Sequence, residues 1–145
     1  MYKTIVVGTD GSPTADRAVE AATVLAKECG ARLHVVTAYR SMSPAVVSLA
    51  GPVMVDTGAE LAMRQEAANE IGERAVAQWG AQLDCEHHAV LGDPVTAILD
   101  TAERLDADLV VVGSKGMRGA RRVLGSVPNS VSHGAGCAVL IVKTD

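Results

Sequence analysis

Leu109-Val110-Val111-Val112-Gly113-Ser114-Lys115-Gly116, followed after eight intervening residues by Gly125-Ser126-Val127-Pro128, is the stretch on which the architecture turns. Four apolar residues in a row, three of them β-branched, predict a strand buried on both faces from Leu109 to Val112. Glycines then allow close backbone approach, and a helix start after Gly125 offers unpaired N–H groups and partial positive charge. In this order the parts make a cradle for an anion at a sheet rim. Lys115, Arg118, Arg121 and Arg122 add full positive charges to the same segment.

Working outward, the same alternation recurs. Thr4 to Val7 is a short β-branched run that breaks at Gly8-Thr9-Asp10-Gly11-Ser12-Pro13, where Ser12 suits an N-cap and Pro13 the first helical position. A helix follows with Ala15, Ala18, Ala22, Leu25 and Cys29 on one stripe, and Gly30 ends it. Arg32 to Ala38 is a second strand, and Tyr39 to Thr57 reads as a long loop rich in serine, proline and glycine. A helix over Ala59–Gly80 buries Leu61, Ala68, Ile71, Ala75 and Trp79. Leu83–Leu91 is a third strand, and Asp93 caps a helix carrying Val95, Ile98, Leu99 and Ala102. Leu124, Val127 and Val131 mark the last helix, and Ala138–Val142 the fifth strand. Alternation of this kind implies a parallel sheet with helices on both faces, α/β and Rossmann-like, in one domain over residues 1–145. Such sheets bind ligands beyond the strands' carboxyl ends where the strand order switches, so the turn at Gly8–Ser12 and the loop at Gly113–Gly116 meet if strands one and four are neighbours.

Composition narrows the function. The net charge is −4, which argues against a nucleic-acid partner. Yet from Leu109 to Thr144 there is no acidic residue and five basic ones, so the positive charge collects beside the glycine loop. Phe is absent, which leaves an aliphatic, alanine-rich core and no stacking platform for single strands. No apolar run approaches the roughly 18 residues of a membrane span, so no membrane partner is expected. Cys29, Cys85 and Cys137 are odd in number and lack metal spacing, which points to a reducing, cytoplasmic setting.

Among chemistry-bearing residues, Asp10 can accept from a ribose hydroxyl or adenine amine, hold a metal bound to phosphates, or simply close an Asx-turn. The Gly113/Gly116 pair is neither a Walker A loop, lacking a closing Gly-Lys-Ser/Thr, nor the dinucleotide fingerprint, which follows the first strand. His87 and His88 are adjacent and point to opposite faces of a strand, while His34 and His133 stand alone in sequence. No metal site is therefore expected from the histidines. No nucleophile–base–orienter set is present, so Ser126 and Ser130 are read as hydrogen-bonding a phosphate.

Ile5-Val6-Val7-Gly8-Thr9-Asp10-Gly11-Ser12, Gly92-Asp93-Pro94, Asp108 to Gly116, Leu124 to Pro128 and Val139-Leu140-Ile141-Val142 together resemble the universal stress protein family, ATP-binding type, over nearly the whole chain. The resemblance implies an open five-stranded parallel sheet in the order 3-2-1-4-5, of the adenine nucleotide alpha hydrolase-like kind. It also implies a homodimer through the C-terminal strand 138–142 and ATP, or another adenine nucleotide such as cAMP, at the switch point. Carried over by position, Asp10 contacts the adenosine, preceded by Gly8 and Thr9 in the same turn, and Ala38 offers backbone groups to adenine. Val112, Gly113, Ser114, Gly116, Met117 and Arg118 form the loop that admits ribose and phosphates, and Gly125, Ser126, Val127 and Pro128 receive the phosphates. Met117 to Leu124 is eight residues where the family usually has nine, a difference to be absorbed near Gly119. The implied role is a stress-response or signalling sensor, or a nucleotide sink, and not an enzyme beyond weak ATPase activity. The alternatives are a slow Mg²⁺-dependent ATP hydrolase using Asp10 and a nucleotide-independent interaction module.

Overall fold

The computed structural model describes residues 1–41, 57–115 and 125–144. Its order is β1 (Thr4–Gly8), α1 (Pro13–Cys29), β2 (Arg32–Tyr39), α2 (Thr57–Trp79), β3 (Cys85–Leu91), α3 (Pro94–Arg104), β4 (Leu109–Gly113), α4 (Ser126–Gly134) and β5 (Ala138–Val142). The five strands form one parallel sheet in the order β3-β2-β1-β4-β5. Element types agree with the expectation, and boundaries move by a few residues. Tyr39 completes β2, Thr57 opens α2, and β3 begins at Cys85 because Leu83 sits in the preceding turn, its N–H bonded to the Gly80 carbonyl. Most of the expected Tyr39–Thr57 loop lies outside the described residues.

Strand alternation sorts the core into two layers. Ile5, Val7, Leu33, Val35, Leu109 and Val111 face α1 and α2, meeting Ala18, Ala22, Ala26 and Ala75. Val6, Val36, Val110 and Val112 face α3 and α4, meeting Ala97, Ile98, Ala102 and Val131. Each fully buried Val or Leu contributes ~1.5–3 kcal/mol, so a strand apolar on both faces belongs at the sheet's centre. Alanine on the helices brings them close to the sheet, which suits a chain without Phe.

The helix ends follow the expected chemistry. Ser12 accepts from the Ala15 N–H at 3.2 Å with Pro13 in the first turn, and Gly30 closes α1 in the left-handed region at φ 63°. Asp93 accepts from the Thr96 N–H at 3.0 Å, and hydrogen bonding from the Thr96 side chain and then its N–H holds the carboxyl below the usual range. At the opposite rim, by the amino ends of the central strands, Asp108 accepts the N–H groups of Lys3 (2.7 Å) and Thr4 (2.9 Å), stitching the start of the chain to the approach to β4.

The histidines require a correction. His87 does point away from His88: it packs on α2, where a Cβ at Gly72 would come within 2.7 Å of the ring. His34, however, is not alone. Pairing of β2 with β3 sets His34 beside Glu86 and Val36 beside His88, so all three polar side chains leave one face, and the His34 and His88 rings lie 5.1 Å apart. Burial pushes both imidazoles below the ordinary histidine value. All three cysteines are free, and burial pushes the thiols of Cys85 and Cys137 up.

Candidate functional site

In this strand order the chain leaves β1 toward β2 on one side and returns across the sheet to β4 on the other. The switch point therefore lies between β1 and β4, at their carboxyl ends. A cleft of ≈ 140 Å³ opens there, walled by Gly8, Thr9, Asp10, Ser12 and Ala15 from β1 and the start of α1, and by Val36 and Ala38 from β2. Pro94 and Ile98 of α3, Val112, Gly113 and Lys115 after β4, and Val127 and Pro128 of α4 complete it. A larger, open hollow of ≈ 640 Å³ lies at the opposite rim beside Lys3, Lys27, Arg32 and Asp84. That rim holds the amino ends of the strands, where neither helix N-termini nor chain crossovers converge, so the smaller cleft is the candidate.

The turn after β1 is tightly built. Thr9, buried, donates its N–H to the Val36 carbonyl (2.9 Å) and accepts the Gly11 N–H on its hydroxyl (3.1 Å). Gly11 adopts φ 77°, which favours glycine. Asp10 accepts the Ser12 N–H through Oδ1 at 2.9 Å, so the Asx-turn reading holds, and its exposed carboxylate still borders the cleft. The Asx-turn and the ligand-facing position are thus compatible: one oxygen shapes the turn, and the residue remains at the wall.

Gly8 is glycine because of space, not torsion. A Cβ there would stand 2.5 Å from Ile98 Cδ1, closer than real Cβ contacts come. Gly113 is different: its missing side chain would face Thr144 Cγ2 at 3.1 Å and Ala18, on the α1 side. Its backbone borders the cleft while the space its side chain would occupy does not, so a bulky residue at 113 would disturb packing before it reached a ligand.

Of the residues expected from sequence, Gly8, Thr9, Asp10, Ala38, Val112, Gly113, Val127 and Pro128 gather around this one cleft. Ser114 does not: its hydroxyl accepts the Thr144 N–H (3.1 Å) and meets the Thr144 hydroxyl (3.3 Å), tying the loop to the chain after β5. Gly125 spends its N–H on the Ser114 carbonyl (3.0 Å), so that amide is engaged within the protein. Ser126 opens α4, exposed, and the first-turn amides of Ser126 and Val127 lack carbonyl partners within the helix, as in every α-helix. Gly116, Met117 and Arg118 lie outside the described residues, as do Arg121 and Arg122. Sequence reasoning missed Ala15, Val36, Pro94 and Ile98 as wall residues. For Pro94 the signal was present in the Gly92-Asp93-Pro94 turn, whereas the other three read only as core.

A doubly wound sheet with a polar turn and helix N-termini converging at its switch point defines a class of small-ligand-binding α/β proteins. The universal stress protein family model matches residues 1–143. The universal stress protein Rv1636 of Mycobacterium tuberculosis is 38% identical over 147 residues, spanning 99% of this chain and 97% of that protein. A solved universal stress protein in complex with cAMP is 35% identical, with TM-score 0.65 and coverage of 99% and 98%. The hypothetical protein MJ0577, 23% identical with TM-score 0.79 over 100% and 98% of the two chains, shares the fold. The chain belongs to the universal stress protein family.

Proposed function

We propose that this universal stress protein binds an adenine nucleotide, ATP or cAMP, in the cleft between β1 and β4, and acts as a sensor or sink in stress signalling and not as a fast enzyme. One observation carries the reading: Asp10 and the backbone of Gly113, distant in sequence, border the same cleft at the switch point, with α4 opening beside them. In it, Asp10 receives a hydroxyl or amine of the adenosine and Ala38 offers backbone groups to adenine. Gly8, Thr9, Val112 and Gly113 line the approach, Ser126, Val127 and Pro128 receive phosphate at the start of α4, and Lys115 supplies charge. Gly116, Met117 and Arg118 are assigned to the ribose and phosphates, while Ser114 and Gly125 hold the ends of the loop through their bonds within the protein. The 35%-identical relative solved with cAMP supports the ligand class.

The test is calorimetry of nucleotide-stripped protein with ATP, cAMP and GTP. Saturable binding of an adenine nucleotide, with GTP weaker, is expected. Asp10→Asn keeps the Oδ1 that shapes the turn but replaces the other acceptor, and should cost about 10–100-fold in affinity, the worth of a hydrogen bond to a charged group. No saturable binding of ATP or cAMP to the wild type defeats the proposal. ADP release with Mg²⁺ above trace rates would favour the hydrolase alternative.

A further inference from the structure

His34, Glu86 and His88 bring three donor atoms together on the α3 side of the sheet, near the edge strand β3. His34 Nδ1 stands 2.9 Å from His88 Nε2 and 3.9 Å from Glu86 Oε2, and the three atoms lie within 4.8 Å of one another. Donors bound tetrahedrally at about 2.0–2.1 Å sit roughly 3.3 Å apart, so the measured separations bracket what a single ion needs. From this juxtaposition we propose that His34, Glu86 and His88 form a binding site for a divalent transition-metal ion of the zinc class.

The plainer reading is a histidine–histidine hydrogen bond with a carboxylate nearby. It accounts for the two rings but not for Glu86, whose Oε2 at 3.9 Å is beyond hydrogen-bonding reach yet well placed for a shared ion. Two imidazole nitrogens and one carboxylate oxygen are the donors of an open zinc site, with a fourth position left to water, and they disfavour Mg²⁺ and Ca²⁺, which want oxygen. The frame is pre-positioned: His34 is only 3% exposed, held on a central strand, while Glu86 reaches from solvent. With both rings neutral no net proton need leave. The ring that donates in the His34–His88 bond moves its proton to its other nitrogen, freeing a lone pair for the metal. Arg32, paired with Asp84 at 2.7 Å, and Arg104, which acts electrostatically on His88, bring positive charge nearby, which limits affinity without blocking the donors. The cluster lies between β2 and β3, whereas the phosphate positions proposed above lie across β1, at β4 and the start of α4, so an ion here is not one that accompanies a nucleotide's phosphates.

Full-length, nucleotide-stripped protein titrated with Zn²⁺ at about pH 7.5, and with Co²⁺ for its visible absorption, tests the site. One equivalent should bind, with a tetrahedral Co²⁺ spectrum displaced by Zn²⁺. His88→Ala and Glu86→Gln, both checked for an unchanged circular dichroism spectrum, should each weaken binding by at least about tenfold to 100-fold. His133→Ala and Cys85→Ser should leave it unchanged. Failure of the wild type to bind one equivalent, undiminished binding in His88→Ala, or full retention in Glu86→Gln each overturns the three-donor assignment.

Discussion

The absence of a side chain at Gly8 should be felt through one atom. An alanine there would set its Cβ 2.5 Å from Ile98 Cδ1 and 3.1 Å from Ile98 Cγ1, in a wall where Ile98 is buried among Val6, Val36 and Val110. Overpacking of this kind costs ~1–3 kcal/mol, partly offset by about 0.4–1 kcal/mol from the stiffer unfolded chain, leaving Gly8→Ala destabilised by up to roughly 2.6 kcal/mol, with about 1.3 kcal/mol at the centre of that range. Ile98→Val removes Cδ1 alone and costs ~0.5–1.5 kcal/mol by itself. At the centre of these ranges independent effects would sum to about 2.3 kcal/mol. In the double variant the offending atom is gone and only the 3.1 Å neighbour remains, so the loss should be no larger than about 1–1.5 kcal/mol. With a urea slope of about 2 kcal/mol/M, Gly8→Ala should unfold roughly 0.5–1 M earlier than wild type, and the double variant should recover part of that shift. Both residues line the cleft, so nucleotide affinity should fall and recover in parallel. If the double variant's loss equals the sum of the single losses within about 0.5 kcal/mol, the Gly8–Ile98 contact is not what excludes a side chain.

Two further outcomes can be measured. Two backbone N–H bonds hold the Asp108 carboxyl below its ordinary 3.8, so the folded state binds fewer protons there than the unfolded chain; the contribution is full above that value and is lost as pH falls through the lower folded one. Asp108→Asn should therefore be less stable than wild type at pH 7, with the gap narrowing as pH falls below 3.8, and a constant gap in urea midpoints would contradict this. Among the described residues β5 pairs only with β4, with no strand on its other edge and Val139 to Val142 half-buried, from which we propose a homodimer through this strand. Sedimentation equilibrium should give twice the mass of one chain, and a monomer at micromolar concentration would refute it.

Local chemistry made much of this legible in the sequence. Ser12 with Pro13, Asp93 with Pro94, and Gly30 each announce a helix end by a mechanism confined to a few residues, and all three are found where expected. Runs such as Val110-Val111-Val112 declare two-sided burial without any knowledge of their neighbours. The cleft was legible because Asp10 and Gly113 close strands that become neighbours, and the rule for ligands at a switch point needs only strand order. Ile98 was not, because a buried isoleucine on a helix looks the same whether it faces a strand or a cavity.

The histidines show where such reading stops. Adjacency along the chain separates His87 from His88 correctly, since successive strand residues leave opposite faces. It says nothing about His34, because His88 lies 54 positions further along the chain and the meeting is fixed by the register of β2 against β3. A slip of one residue would turn His88 to the α2 side and bring His87 to the α3 side in its place. The register is itself anchored by features that have no bearing on histidine: Leu33 and Val35 must enter one core while Val36 enters the other, and Asp84 and Gly92 tie the ends of β3 to Leu33 and Tyr39. A cluster whose members are placed by apolar neighbours leaves no trace in its own spacing. It follows that changing Val36 or Leu33 to alter pairing should disperse the His34–Glu86–His88 donors as surely as replacing one of them, although neither residue carries a ligand atom.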